Sequence, residues 1–217
     1  MTVDELLQNE EVRIYLRKAD EVMEAIGYTE HGLRHATLVS QRARDILAQL
    51  GYPEERQELA AIAGLLHDVG NILGRHDHEQ SGAAIALELL RKLGMPPAKA
   101  CDVAAAIGNH EADLMPAMDV TAAVVIADKS DVHKTRVRTL NQIPDDIHDR
   151  INDAAESSTL RVDPEKKIIS LEIVIDTSKG SVMEYFEIFL DRMVMCRKAA
   201  SVLGCDFHLY INDTQLE

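Results

Sequence analysis

The chain has 217 residues, 46% of them hydrophobic but only 4% aromatic and none of them Trp. That is enough length and apolar content for one filled core, or one core with a small appendage, and it excludes a disordered chain. The net charge of −14 at pH 7 opposes binding to polymeric nucleic acid or an anionic membrane, although bound cations can invert the field locally for a small phosphate compound.

With Leu, Ile, Val, Met and Ala left to fill the interior, packed helices are favoured over an aromatic-rich sandwich. Cys101, Cys196 and Cys205 are odd in number, far apart and without a C-x-x-C pair. Neither a disulfide framework nor a zinc knuckle is indicated, and small buried apolar groups are expected. Residues 1–10 are acidic and polar, unlike a secretory leader, and no apolar run reaches the length of a membrane span. A cytoplasmic location is the expectation.

In chain order, Asp4 to Ile26 carries apolar residues at helical intervals and ends at Gly27. A second helix is predicted from His31 to Leu50, closed by Gly51, and a third from Pro53 through Leu66. A fourth runs from about Glu79 to Leu93, and a fifth opens at Pro96-Pro97 and reaches about Asn109. A sixth begins near Asp119, a candidate N-cap, and carries Val120, Val124, Val125 and Ile126. After Pro144 the pattern changes. A short helix over Ile147 to Ala155 leads to strands at Ser158–Val162 and Lys167–Asp176, joined by the turn signal Asp163-Pro-Glu-Lys166. An amphipathic helix over Ser181 to Leu203 and a strand over Cys205 to Ile211 complete a ββαβ unit.

The histidines are unevenly placed. His35, His67, His78 and His110 each fall at or near a predicted helix end or on a core-facing stripe. Asp68 adjoins His67 within Leu65-Leu-His-Asp-Val69, and Asp128 closes the apolar run Ala122 to Ala127. Carboxylates so placed are costly to desolvate without a cation or donor beside them, and neighbouring buried acids are driven to protonate. A divalent ion removes that penalty, and mixed imidazole and carboxylate ligation suits Fe, Mn, Co or Zn.

These residues carry a resemblance. Arg34-His35 with Val39 and Ala43, then Leu65-Leu-His-Asp-Val-Gly70, and later Val125-Ile-Ala-Asp128 resemble the H…HD…D signature of the HD superfamily of metal-dependent phosphohydrolases. His78-Glu-Gln-Ser-Gly82-Ala83 and Ile107-Gly-Asn-His110 resemble two further elements of members that hold two metals. The nearest likeness is to dinuclear HD enzymes that split dinucleoside polyphosphates. It spans about His31 to Arg138 and stops short of the ββαβ unit.

The resemblance implies that His35, His67, Asp68 and Asp128 ligate a first ion. It makes Asp68 the catalytic bridge to a second ion, completed by His78 and His110. A shared water of lowered pKa would then attack phosphorus, with no nucleophilic side chain. Asn71 stands where many members carry Lys or Arg, leaving a neutral hydrogen bond to substrate. Lys129, Lys134, Arg136 and Arg138 follow Asp128 directly; a solvated face and a phosphate-contacting role are both open, with Lys134, Arg136 and Arg138 the substrate-binding candidates. His76 is the alternative to His78, and His31 is set aside as a surface residue or a neighbour of the ligands.

The sequence therefore predicts a mainly α fold, an HD-type helical bundle over residues 1–143 followed by a small α+β unit over 144–217. The expected activity is hydrolysis of a phosphoester or phosphoanhydride in a nucleotide-like small molecule by a metal-activated hydroxide, with one or two divalent transition-metal ions per chain. The alternative is a catalytically idle HD module that senses a nucleotide. The expected partner is a small phosphorylated substrate rather than a membrane or polymeric nucleic acid, and the exposed strand edge makes a homodimer the further expectation.

Overall fold

Asn9 divides the first predicted helix in two. Its backbone is extended, its own N–H closes helix α1 (Val3–Gln8), and its side-chain oxygen accepts from the Val12 N–H at 3.2 Å to cap α2 (Glu10–Ala25). An Asn inside an apolar periodicity competes for backbone donors and so marks a cap rather than a helix interior. The computed structural model describes residues 1–111, 115–138 and 147–216. The expected boundary between residues 143 and 144 lies outside them.

The other predicted helices form within a few residues of their expected ends: α3 (Leu33–Gln49), α4 (Glu54–Leu66), α5 (His78–Lys92), α6 (Pro97–Gly108) and α7 (Asp119–Lys129). Asp119 is the first residue of α7 rather than its cap. It accepts from the Val120 N–H and pairs with Arg56, which also binds Asp102 at 2.6 Å and so ties α4 to α6 and α7. From Val120 to Lys129 every residue of α7 is buried, with α3, α4, α6 and α9 (Val182–Val202) packed around it. That is why its sequence reads as an apolar run without a polar face. Each fully buried Leu, Ile or Val along it contributes roughly 1.5–3 kcal/mol.

The last third contains α8 (Ile147–Ala154) and strands β1 (Ala155–Asp163), β2 (Ile168–Ile175), β3 (Asp206–Ile211) and β4 (Thr214–Gln215). The sheet order is β1-β2-β3-β4, with β1 antiparallel to β2, β2 parallel to β3, and β3 antiparallel to β4. Alternation sets the register: Ile169, Leu171 and Ile173 pair with Phe207, Leu209 and Ile211 on the inner face. The fourth strand was not expected. Asn212 and Asp213 both have positive φ, 49° and 62°, and form the two-residue turn that folds β4 back on β3.

Helix α9 packs on both α7 and β3, so one apolar core runs without interruption from Leu6 to Ile211. Cys196 and Cys205 are buried within it as expected, whereas Cys101 is exposed. The inner stripe of α6 is Ala100, Val103, Ala106 and Ile107, which turns Cys101 outward. Among the described residues no helix is long and apolar enough to cross a membrane.

Candidate metal centre

Helix ends bring the polar residues together. His35 is in the first turn of α3, His67 and Asp68 follow the last residue of α4, and His78 opens α5. His110 lies just past α6, and Asp128 is next to last in α7. Two close backbone approaches make this possible. A side chain at Gly64 would place its Cβ 2.9 Å from the Ser40 Cα, so the glycine lets α4 meet α3 closely enough for His67 to reach His35. A Cβ at Gly70, in the 3-10 turn Val69–Leu73, would overlap the His78 carbonyl oxygen. Gly70 and Gly82 let that turn lie against α5, which puts His78 beside Asp68.

Four imidazoles converge through Nε2. The His35 and His67 Nε2 atoms are 3.2 Å apart, and those of His78 and His110 are 3.3 Å apart. The carboxylate of Asp68 lies between the two pairs. Its Oδ2 is 3.2 Å from His67 Nε2 and 3.6 Å from His35 Nε2, while its Oδ1 is 3.3 Å from His78 Nε2. Asp128 Oδ1 completes the first group at 3.3 Å from His35 Nε2 and 3.7 Å from His67 Nε2. All six residues are buried.

Each ring is oriented from behind. Nδ1 donates to the Gly64 carbonyl in His67 (2.8 Å), to Arg75 in His78 (3.1 Å) and to Ile107 in His110 (2.7 Å). In His35 it donates to the Asp131 carboxylate at 2.7 Å. The network thus assigns the lone pair of the neutral ring to Nε2 in every case. Lone pairs facing each other at 3.2–3.3 Å, with carboxylate oxygens alongside, repel unless a positive charge sits among them. The donor set of four imidazoles and two carboxylates therefore fits a divalent transition metal. The sets His35-His67-Asp128, His67-Asp68-His110 and His78-His110-Glu111 are each close enough to hold an ion.

Without metal, the positive charge at this point falls on His67. Burial pushes the His67 imidazole down, but Asp68 and Asp128 outweigh it and raise it to about 10. Burial, helped by His67 and Lys129, lowers His110 to about 3. Burial would raise Asp68 and Asp128, yet the imidazoles, and for Asp128 first of all Lys129, hold both well below the usual carboxylate range.

Glu111, Arg75 and Asp131 are not among the site candidates in sequence, and Lys129 stands out only within the basic run after Asp128. Glu111, next to His110, is held at about 2, since Lys129 outweighs the effect of burial. Lys129 binds Asp128 at 2.7 Å and Glu111 at 2.8 Å. Arg75 contacts Asp68 at 3.4 Å, His78 Nε2 at 3.1 Å and Glu111 at 3.1 Å. Asp131 is clamped by Arg34 at 2.8 Å.

The substrate-binding candidates are placed differently. Asn71 is fully buried and donates to the carbonyl and the Oδ1 of Asp68, at 3.0 and 2.9 Å, so it braces the Asp68 carboxylate. Arg136 is buried behind His35, bonded to Asp131 and to His31 Nε2 at 3.0 Å. Arg138 is taken up by Asp20 and by the Tyr28 and Thr29 carbonyls, and Lys134 is exposed. His76, the alternative to His78, is 92% exposed and pairs with Asp77.

Known proteins resemble this chain over part or most of its length. An uncharacterized protein of Methanocaldococcus jannaschii, MJ1020, is 25% identical over 203 residues, covering 83% of this chain and 78% of its own. Ribonuclease Y of Lactobacillus acidophilus is 37% identical over 100 residues, 46% of this chain but only 17% of the length of that enzyme. A predicted HD superfamily hydrolase from an uncultured Thermotogales bacterium aligns in structure over 61% of this chain and 75% of its own, with 26% identity and a TM-score of 0.46. The HD domain model matches residues 32–168, a span that contains all six converging side chains. With most of its length inside that match, the chain belongs to the HD domain family.

Proposed function

We propose that this protein hydrolyses a phosphoester or phosphoanhydride bond in a nucleotide-like small molecule, using two divalent transition-metal ions. Membership of the HD family supports metal-dependent phosphohydrolase chemistry in general. The observation that carries the finer reading is the bidirectional carboxylate of Asp68, one oxygen toward His35 and His67 and the other toward His78. His35, His67, Asp128 and Asp68 Oδ2 would hold one ion; His78, His110 and Asp68 Oδ1, with Glu111 beside them, would hold the other. When bound, the metals would activate water and neutralise charge on the phosphoryl oxygens.

The chain's own residues supply the frame. Asp131 and the Gly64, Arg75 and Ile107 carbonyls fix the ring planes. Asn71 and Arg75 hold Asp68, and Lys129 holds Asp128. A small substrate is favoured over the RNA that the name ribonuclease Y suggests for the relatives, because a net charge of −14 repels a long polyanion.

The test is metal analysis of protein purified without chelator, with turnover assays in Mn²⁺, Fe²⁺ and Co²⁺. Substrates are phosphomonoesters, phosphodiesters, dinucleoside polyphosphates and a short RNA. Two ions per chain and turnover of a nucleotide are expected, with losses on the order of a hundredfold or more in Asp68→Asn and His67→Gln. Absence of both metal and turnover would overturn the reading; tight nucleotide binding without turnover would replace it with a sensing role.

A further inference from the structure

Among the described residues, the basic side chains around the candidate metal centre are mostly committed to carboxylates. Arg75 binds Asp68 and Glu111, Lys129 binds Asp128 and Glu111, and Arg136 binds Asp131. Arg192, by contrast, comes from α9, beyond the residues matched by the HD domain model. It is half-buried, yet it makes no hydrogen bond or ion pair among the described residues.

Its position is set by packing. Helix α9 lies on α7, which carries Asp128 and Lys129. One turn beyond Arg192, Cys196 is fully buried against this part of α7; burial pushes its thiol up to about 12, with Lys129 and Asp128 close enough to act on it. The charges that reach the Arg192 guanidinium are those of Arg136, Asp128, Glu111 and Arg75, the ring of groups around the centre. Burial, together with Arg136, lowers its affinity for its proton by more than Asp128 and Glu111 raise it, and no carboxylate pairs with it directly among the described residues.

The guanidinium also has a platform. Its central carbon lies 4.7 Å from the centroid of the Phe189 ring, whose side chain is buried in the core. Stacking on an aromatic face fixes the plane of the group while leaving its in-plane N–H donors free. A rigid, partly desolvated fork with free donors is the arrangement that takes two oxygens of one phosphate.

We propose that Arg192 is a phosphate-binding residue of the site, supplied by the C-terminal unit to a phosphoryl group of the substrate. This rests on the phosphohydrolase reading and adds to it the residue that reads the phosphate. It also assigns the sheet and α9 a part in substrate recognition, because α9 carries Arg192 and packs on both α7 and β3.

The experiment measures inorganic phosphate binding to the Mn²⁺-loaded full chain by calorimetry, with metal content and melting temperature followed in parallel. Arg192→Ala is expected to weaken phosphate binding about ten- to hundredfold with metal content unchanged. Arg192→Lys restores the charge but not the fork and should recover part of the loss. Arg161→Ala, which removes the same charge from a β1 residue paired with Glu172, should bind as the parent does. Arg192→Gln keeps the bulk of the side chain and guards against a folding defect in the alanine variant.

Unchanged phosphate affinity in a metal-replete Arg192→Ala or Arg192→Gln protein would overturn the inference alone. Loss of metal in both variants would overturn it too, by making Arg192 a support of the ligands. A metal-replete parent protein that binds no phosphate would sink the phosphohydrolase reading itself.

Discussion

His67 is where the charge of the centre is balanced. In metal-free protein the carboxylates of Asp68 and Asp128 overcome burial and keep its ring protonated up to about pH 10. Metal needs the Nε2 lone pair, so loading must expel that proton. The sign follows: below pH 10 each unit of rising pH lightens the competition about tenfold, and apparent metal affinity should climb accordingly. His110, held at about 3, is already neutral in this range and adds nothing to the slope. Metal titrations between pH 6.5 and 8.5, in buffers of different ionisation enthalpy, should show His67 releasing one proton per chain. In His67→Gln that contribution should vanish; an unchanged slope would contradict the account.

At the scale of elements, the centre depends on two contacts without side chains: Gly64 against α3, and Gly70 against the start of α5. The second is the tighter. Adding a methyl at Gly70 must push the 3-10 turn and α5 apart, because the atoms it meets include backbone that cannot swing away. Gly70→Ala should cost about 1–3 kcal/mol in chemical denaturation. Since the displaced element carries His78 while His35 and His67 ride on α3 and α4, the variant should lose metal at the His78-His110 pair and retain it at the other. Metal stoichiometry falling from two toward one would bear this out, and equal loss at both would not.

Across the whole molecule, one core joins the helical bundle to the sheet through α7 and α9, so the site and the fold share their stability. Buried carboxylates and imidazoles gain most from a cation that binds only the folded state. Free metal at a hundred times its dissociation constant should stabilise the chain by about 2.7 kcal/mol. In a domain of this size that corresponds to a rise of about 5–10 °C in melting temperature, reversed by a chelator. A melting temperature indifferent to both additions would mean that the converging side chains do not hold metal.

Local order was legible along the chain because each signal for it is short-range. Helical periodicity, the prolines before α4 and α6, and the alternation in β2 and β3 all act within a few residues. The one long helix predicted at the start was divided because Asn9 found a better use for its side chain as a cap than the periodicity could reveal. The metal-ligand candidates were also legible, through the spacing of His35, His67-Asp68, His78, His110 and Asp128. Their surroundings were not. Asp131 behind His35 is 96 residues away from it, and Arg192, on which the charges of Asp128 and Glu111 act, comes from a helix with no motif of its own. The basic run after Asp128 left a solvated face and a phosphate-contacting role both open, and folding turned Arg136 inward and Arg138 toward Asp20. The sequence by itself determined which side chains have the chemistry to hold a metal. Only the tertiary structure decided which of the described cations near the candidate centre are paired with carboxylates, because that depends on pairings between elements that local spacing does not encode.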